Sequence, residues 1–235
     1  MRQSPISICD RPAFVGALEK EPKISLIGTL AMLVEAPGDF DIVQQGRIWA
    51  LADVLSCWRN VEEAVIGVTN VMLVFEQPPE DIGALGASII ELWHRLPGRG
   101  ADGKLIEIPV VYGGEYGFDL PAVAARAGLS GREVVKIHSE GEYTVCAVAS
   151  SPGFGYLHGL DPRIFMPRKA VPSLNMRAGS VTIGGMQTGV AVLSSPNGWN
   201  AIGRAAVPMF DPRSDQPSLM APGDRVKFRI DRIEL

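Results

Sequence analysis

The sequence predicts an α+β protein in two parts, a small helix-and-strand sandwich of ferredoxin-like type followed by a β-rich barrel. Three observations carry this. Up to about residue 100, apolar residues at helical spacing alternate with short β-like runs. Beyond that point, short β segments are separated by Pro/Gly loops, as in closed barrels with long loops. The 235 residues, 46% hydrophobic and 20% charged, have an ordinary globular composition and enough length for one large domain or two small ones.

The first stretch, "MRQSPISICDRPAFVGALEKEPK", is broken by Pro5, Pro12 and Pro22 and has no continuous apolar core. It reads as an N-terminal extension over residues 1–23 and not as a secretory signal. "KISLIGTLAMLVE" (23–35) is an apolar run of β character. "DFDIVQQGRIWALADVLSCW" places Ile42, Ile48, Leu51, Ala52 and Leu55 at helical spacing, with Asp39 or Asp41 as the cap. "VEEAVIGVTNVMLVFE" (61–76) reads as two strands around a tight turn near Thr69 and Asn70. "PEDIGALGASIIELWHRL" (79–96) is a second amphipathic helix with Ile82, Leu85, Ile89 and Leu92 on one stripe. This order, βαββα, sets the small α/β domain at 24–103. It closes on "PGRGADG" (97–103), a linker or exposed loop.

The barrel is assigned to 104–235. "KLIEIPVVY" (104–112) is a strand that either pairs back onto the first sheet or begins the second. "DLPAVAARAGLS" and "GREVVKIHS" are short helices separated by Gly128 and Gly131. "YTVCAVAS", "GSVTIGG", "GVAVLSS" and "DRVKFRIDRI" are strands, and the Gly/Pro-rich stretches between them are loops.

A net charge of −4 gives no basic excess for nucleic acid or an anionic membrane surface. No stretch approaches the roughly 20 apolar residues of a membrane span, so the expected location is cytoplasmic. Cys9, Cys57 and Cys146 are far apart and no Cys/His group has zinc spacing, so reduced thiols and no metal site are expected. The chain lacks a GxxxxGKS/T phosphate loop, a GxSxG elbow, an HExxH motif and a biotin-carrying lysine between two methionines.

Four stretches carry candidate chemistry. "YGGEYGFDL" (112–120) sets glycines beside Glu115 and Asp119. "SSPGFGYLHGLDPR" (150–163) interleaves Pro152 and Gly153 with Phe154 and Tyr156. "GGMQTG" (184–189) presents Gln187 and Thr188 between Gly185 and Gly189. "SSPNGWNAIGR" (194–204) presents Trp199 and Arg204. Glycine lets backbone amides approach a ligand, and consecutive amides can cradle an anion. Arg204 suits a carboxylate or phosphate, and Phe154, Tyr156 and Trp199 suit the apolar wall of a pocket. The plainer readings stand beside these: strand connections for the glycines, loop or core anchors for Phe154 and Trp199, and a surface ion pair for Arg204. His94 and His158 read as surface and loop residues. His138 closes a helix, where a cation meets the last carbonyls.

In this order the stretches resemble the family of the 5-oxoprolinase B subunit, also labelled allophanate hydrolase subunit 1, which includes a Kip-type inhibitor of a sporulation histidine kinase. "GGEYGFDL", His138, Tyr143, "PGFGYLHGLDPRI", "PRKAVPSLNMRAGSVTIGGMQTG", "PNGWNAIGR" and "MFDPRSDQPSLMAPGDRVKF" follow the family pattern collinearly over about 104–230. Met186 and His158 stand where the family has glycine, Ala205 where it has threonine, and Ser150 where an aromatic is usual.

The resemblance implies a small α/β domain followed by a cyclophilin-like barrel whose glycine-rich loops shape the mouth of a cleft. It implies work with a homologous C subunit and with an A subunit. ATP, with or without Mg, would be bound in the complex, and no cofactor would be held tightly by this chain. The activity implied is opening of 5-oxoproline to glutamate, with this chain inactive alone. Arg204 would hold the substrate carboxylate, Gln187 and the loop amides the carbonyl or phosphoryl oxygens, and His138 would act as base or positioning group. Glu115, Asp119, Tyr143, Pro152, Gly153, Phe154, Tyr156, Gly185, Thr188, Gly189 and Trp199 would line the site. The alternatives are a regulatory protein that blocks a sensor histidine kinase and half of a urea- or allophanate-type carboxyltransferase.

Overall fold

The computed structural model describes residues 20–235. Most of the extension assigned to 1–23 therefore lies outside the described residues, as does Cys9. The run 23–35 is two strands, β1 (Lys23–Ile27) and β2 (Ala31–Glu35), folded on each other through Gly28, whose φ is 66°. Helix α1 (Ile42–Leu55) follows, with Asp41 Oδ1 accepting from Val43 N–H at its start. Strands β3 (Val61–Ile66) and β4 (Asn70–Phe75) form the expected hairpin, turning at Thr69 with φ 62°. Helix α2 (Ile82–Arg95) is capped by Asp81, which accepts from Ala84 N–H.

The sheet is antiparallel in the order β1-β2-β4-β3. The ferredoxin-like order expected from βαββα is not present, because the first run is a hairpin and the closing strand joins the other sheet. Both helices pack on one sheet face. Met32, Val34, Val71, Leu73 and Phe75 alternate toward Ile48, Leu51, Leu55, Ile89 and Trp93 in one buried cluster. Ile82, expected on the buried stripe, is exposed, whereas Ile89 and Trp93 are the buried residues of the helix.

The second part is a closed barrel of seven strands, in the order β10-β7-β6-β13-β5-β12-β9. Its members are β5 (Leu105–Gly113), β6 (Tyr143–Val148), β7 (Gly155–His158), β9 (Ser180–Gly184), β10 (Gln187–Val190), β12 (Asn200–Ala205) and β13 (Arg225–Glu234). Strands β8 (Ser173–Met176) and β11 (Ser195–Asn197) form a separate two-stranded arm. Helices α3 (Leu120–Ala127) and α4 (Gly131–Glu140) send Leu120, Val123, Val134 and Val135 into the barrel's apolar core. A Ser130–Glu133 capping box starts α4.

The stretches 150–163 and 194–204, loops by their composition, supply β7 and β12. Their glycines and those nearby serve close contact between strands: a side chain at Gly203 would meet Val111 O at 2.7 Å, and one at Gly189 would meet the Phe154 ring at 3.1 Å.

The two parts are joined by directional contacts. Cys146 O on β6 accepts from Trp49 Nε1 at 2.8 Å and from Gln45 Nε2 at 3.2 Å. Gln45 Nε2 also donates to Gly67 O, and Gln45 Oε1 accepts from Thr69 N–H at 2.6 Å. One buried amide therefore fixes the β3–β4 turn and the barrel together. The stretch 97–103 is tied down too. Arg99 N–H donates to Gly46 O at 2.8 Å, and its guanidinium bonds Asp53 and Pro222 O across the junction. Gln45→Ala is expected to leave Thr69 N–H without its acceptor, at about 1–3 kcal/mol, while Cys146 O keeps the Trp49 indole as donor. Urea unfolding of the variant against the parent chain measures this.

Candidate functional site

The residues expected to form one cleft fall into three separate groups. The first is inside the barrel. His138, on α4, is fully buried. Thr188 Oγ1 donates to Thr182 O at 2.9 Å, so it accepts from the His138 Nε2–H, 2.9 Å away. That leaves Nδ1 to accept from the Tyr112 hydroxyl at 2.8 Å. The ring packs at 4.6 Å from Phe228, and Tyr143 donates its hydroxyl to His138 O at 2.7 Å. Burial lowers the His138 pKa to about 3, so the ring is neutral at pH 7.

This corrects the expected roles of these residues. His138 is neither a helix-terminal cation nor a base at a mouth; with Tyr143 and Thr188 it is part of a sealed hydrogen-bonded core. The sign of its pH effect follows. Between pH 6.5 and about 3 the unfolded chain binds a proton on this imidazole that the folded chain refuses, so stability is full above pH 6.5 and falls as the pH drops. The slope due to this group is about 1.4 kcal/mol per pH unit. Unfolding curves at pH 7 and pH 5 should show a larger loss for the parent chain than for His138→Gln.

The second group is an aromatic cluster on the outer side of the barrel wall. Phe154, Tyr156 and Trp199 meet edge to face, with centroids 5.0 Å, 5.6 Å and 6.2 Å apart. Trp199 lies over Gly184, where any side chain would collide with the indole. The Arg168 guanidinium covers the indole, 5.7 Å from its centroid. The Tyr156 hydroxyl contacts Ser150 Oγ. Beside the cluster, Gly185 and Met186 are the two turn residues between β9 and β10, and Gln187 is half-buried next to them. Gly185 has φ 67°, the value a two-residue hairpin asks of its first turn residue, whereas Met186 has no positive φ. Methionine therefore replaces the expected glycine without backbone strain. His158 stacks on Phe40 of the first part at 4.5 Å. In the 150–163 stretch, Pro152 is exposed and Gly153 is buried against Met209 O. Phe154 and Trp199 are themselves almost fully buried, so Tyr156, Arg168 and Gln187 form the accessible part.

The third group surrounds Tyr116. Arg204 does not face the aromatic cleft. It is exposed at the far end of β12, with its guanidinium 4.7 Å from the Tyr116 ring centre. Glu115 is exposed and pairs with Arg177 at 2.9 Å. Asp119 is tied into structure, with Oδ2 accepting from Ala201 N–H at 2.8 Å and meeting Lys169 Nζ at 2.5 Å. The glycines of the 112–120 stretch line an apolar cavity of about 520 Å³ with Phe118, Leu120 and Leu235. Lys169, Arg168, Arg177 and Tyr116 are site residues that sequence reasoning does not single out. All of them lie inside quoted family stretches, Tyr116 in "GGEYGFDL" and the three cations in "PRKAVPSLNMRAGSVTIGGMQTG".

By sequence the chain belongs to the carboxyltransferase-domain class. The family model "carboxyltransferase domain, subdomain C and D" matches residues 22–220. More narrowly, the chain belongs to the family of 5-oxoprolinase B subunits. It is 42% identical to the 5-oxoprolinase B subunit of Escherichia coli over 86% of this chain and 93% of that protein. It is 39% identical to the Haemophilus influenzae protein of the same name over 89% and 98%. Among solved structures, TTHA0988 is 33% identical with a TM-score of 0.72; the match covers 85% of this chain and spans 39% of that one. The Kluyveromyces lactis urea amidolyase, 18% identical with a TM-score of 0.74 over 90% of this chain and 15% of that one, shares the fold. Among the described residues no helix is long and apolar enough to cross a membrane.

Proposed function

We propose that this chain is the B subunit of a 5-oxoprolinase, acting with a homologous C subunit and an A subunit in ATP-dependent opening of 5-oxoproline to glutamate. The observation that carries the reading is similarity over nearly the whole length of relatives that bear that name. The barrel is read as cyclophilin-like, and the work is placed in the cytoplasm, where ATP is available. The state of the chain's own polar groups supports dependence on partners. His138 is sealed, Asp119 is held by Lys169, and Glu115 is held by Arg177. No general base among these is free to meet a substrate, and proton transfer needs a group within hydrogen-bond reach. On this reading a partner chain closes over the accessible face formed by Tyr156, Gln187 and Arg168 and brings the missing acid–base group.

ATP enters through the partners. By its glycines the 184–189 turn is the best candidate for a phosphate cradle, but Gly185 N–H is committed to Met166 O at 2.8 Å and Gly184 pairs with Gln187 to close the hairpin. The turn does not fit a phosphate.

The test is reconstitution. The chain, co-purified with its A and C partners, should release glutamate from 5-oxoproline only with ATP, and the chain alone should release none. Robust turnover by the chain alone would reject the partner dependence. An assembled complex that ignores 5-oxoproline would reject the substrate.

A further inference from the structure

Strands β8 and β11 form an arm outside the barrel sheet, and its root is fixed. Lys169 N–H donates to Gly198 O at 2.7 Å, and Lys169 Nζ donates to Ser173 Oγ at 2.7 Å while pairing with Asp119. Met176 packs with Ala191 and Ala201 in a small buried cluster. The rest of the arm is apolar and uncovered. Val171 and Leu174 are 81% and 83% exposed, more than any other large hydrophobic among the described residues, and Pro172 and Pro196 are exposed too. The pairs Met176–Ser195 and Ser173–Asn197 leave Leu174 and Asn175 opposite Pro196 alone, a bulge. A bulge and two prolines spoil the edges for an added strand, so the arm meets a neighbour through its side chains. Because its root is ordered before contact, it loses little conformational freedom on binding.

Charge indicates what that neighbour is. Residues 162–210 carry Arg163, Arg168, Lys169, Arg177 and Arg204 and no Asp or Glu, in a chain of net charge −4. Carboxylates from outside this stretch pair with Arg163, Lys169 and Arg177. Arg168, at the root of the arm, has the Trp199 indole beneath it and no carboxylate partner among the described residues. We propose that the arm docks into an acidic protein surface that has an apolar recess. Val171 and Leu174 enter the recess, and Arg168 meets the carboxylates around it. The choice of the C subunit as the owner of that surface rests on the 5-oxoprolinase reading. The desolvated apolar anchors carry the affinity, and the cation steers the encounter and sets its salt dependence.

The experiment is calorimetric titration of the full chain with the purified C subunit at low and raised salt, with light scattering of the chain alone. Saturable binding that weakens as salt rises is expected. Leu174→Glu and Val171→Glu should each weaken it at least about tenfold, the size of an interface anchor. Both positions are exposed, so these variants should unfold in urea as the parent chain does. Arg168→Glu should weaken binding and flatten its salt dependence. No binding by the parent chain, binding that ignores salt, or indifference to both Leu174→Glu and Val171→Glu overturns the inference. Self-association of the chain that Leu174→Glu abolishes puts a second copy on the arm and overturns the acidic partner. The reconstituted complex separates this from the proposed role in 5-oxoprolinase. Assembly and ring opening untouched by the arm variants remove the arm and keep that role, whereas arm-dependent assembly without ring opening keeps the arm and removes the role.

Discussion

The imidazole of His138 holds the barrel in register. It hydrogen-bonds β5 through Tyr112 and β10 through Thr188, and Thr188 passes the connection to β9 through Thr182 O. Its ring packs on Phe228 of β13, and its carbonyl takes the Tyr143 hydroxyl of β6. One helix is thereby tied by hydrogen bonds to three strands of the wall, β5, β10 and β6, and by ring packing to a fourth, β13. An apolar side chain of the same size would fill the space without specifying which turn of α4 enters. The arrangement is stable only because every polar atom in it is paired and the ring carries no charge; a buried unpaired group or charge is costly. Burial also pushes the Tyr112 hydroxyl well above its usual range, so it stays a donor to Nδ1.

With His138 and its partners buried, the candidate residues that stay accessible lie elsewhere on the wall and are kept apart. Strand β12 shows how. Trp199 precedes its start and Arg204 lies near its end, five residues on. At about 3.3 Å per residue that is on the order of 15 Å, too far for one small molecule to touch both. The aromatic cluster with Arg168 and the Tyr116 group with Arg204 are therefore two places. The long stretch rich in glycine from 184 to 204 connects them by letting neighbouring strands and side chains come close, as at Gly184 beneath the indole and Gly203 against β5.

Much of this is legible in the sequence, and the failures have a common cause. Helices α1 and α2, their Asp41 and Asp81 caps and the β3–β4 turn are local events, and spacing with turn chemistry finds the helices and the turn. Strand β12 escapes because its signal is tertiary. Asn200, Ala201, Ile202 and Gly203 are all buried, so alternation is lost, and glycine with asparagine reads as loop until β5 and β9 are seen on either side. The hairpin at 23–35 reads as one run because Gly28 alone carries the turn. His138 misleads because its place near a helix end is local while its burial is not. Resemblance locates the right stretches but not their grouping: Arg204 is placed by Tyr116 and Arg177, both distant in sequence.

The junction between the two parts bears on how such a protein could answer a partner. Strand β6 offers Cys146 O to Trp49 and Gln45, and burial pushes the Cys146 thiol up to about 12, leaving it an inert wall residue. Next along the barrel, β7 carries both ends of the relation: His158 stacks on Phe40 of the first part, while Tyr156, two residues earlier, belongs to the aromatic cluster. The small domain and the aromatic cluster therefore meet on one strand, at residues two positions apart that rest on the two sides of the junction.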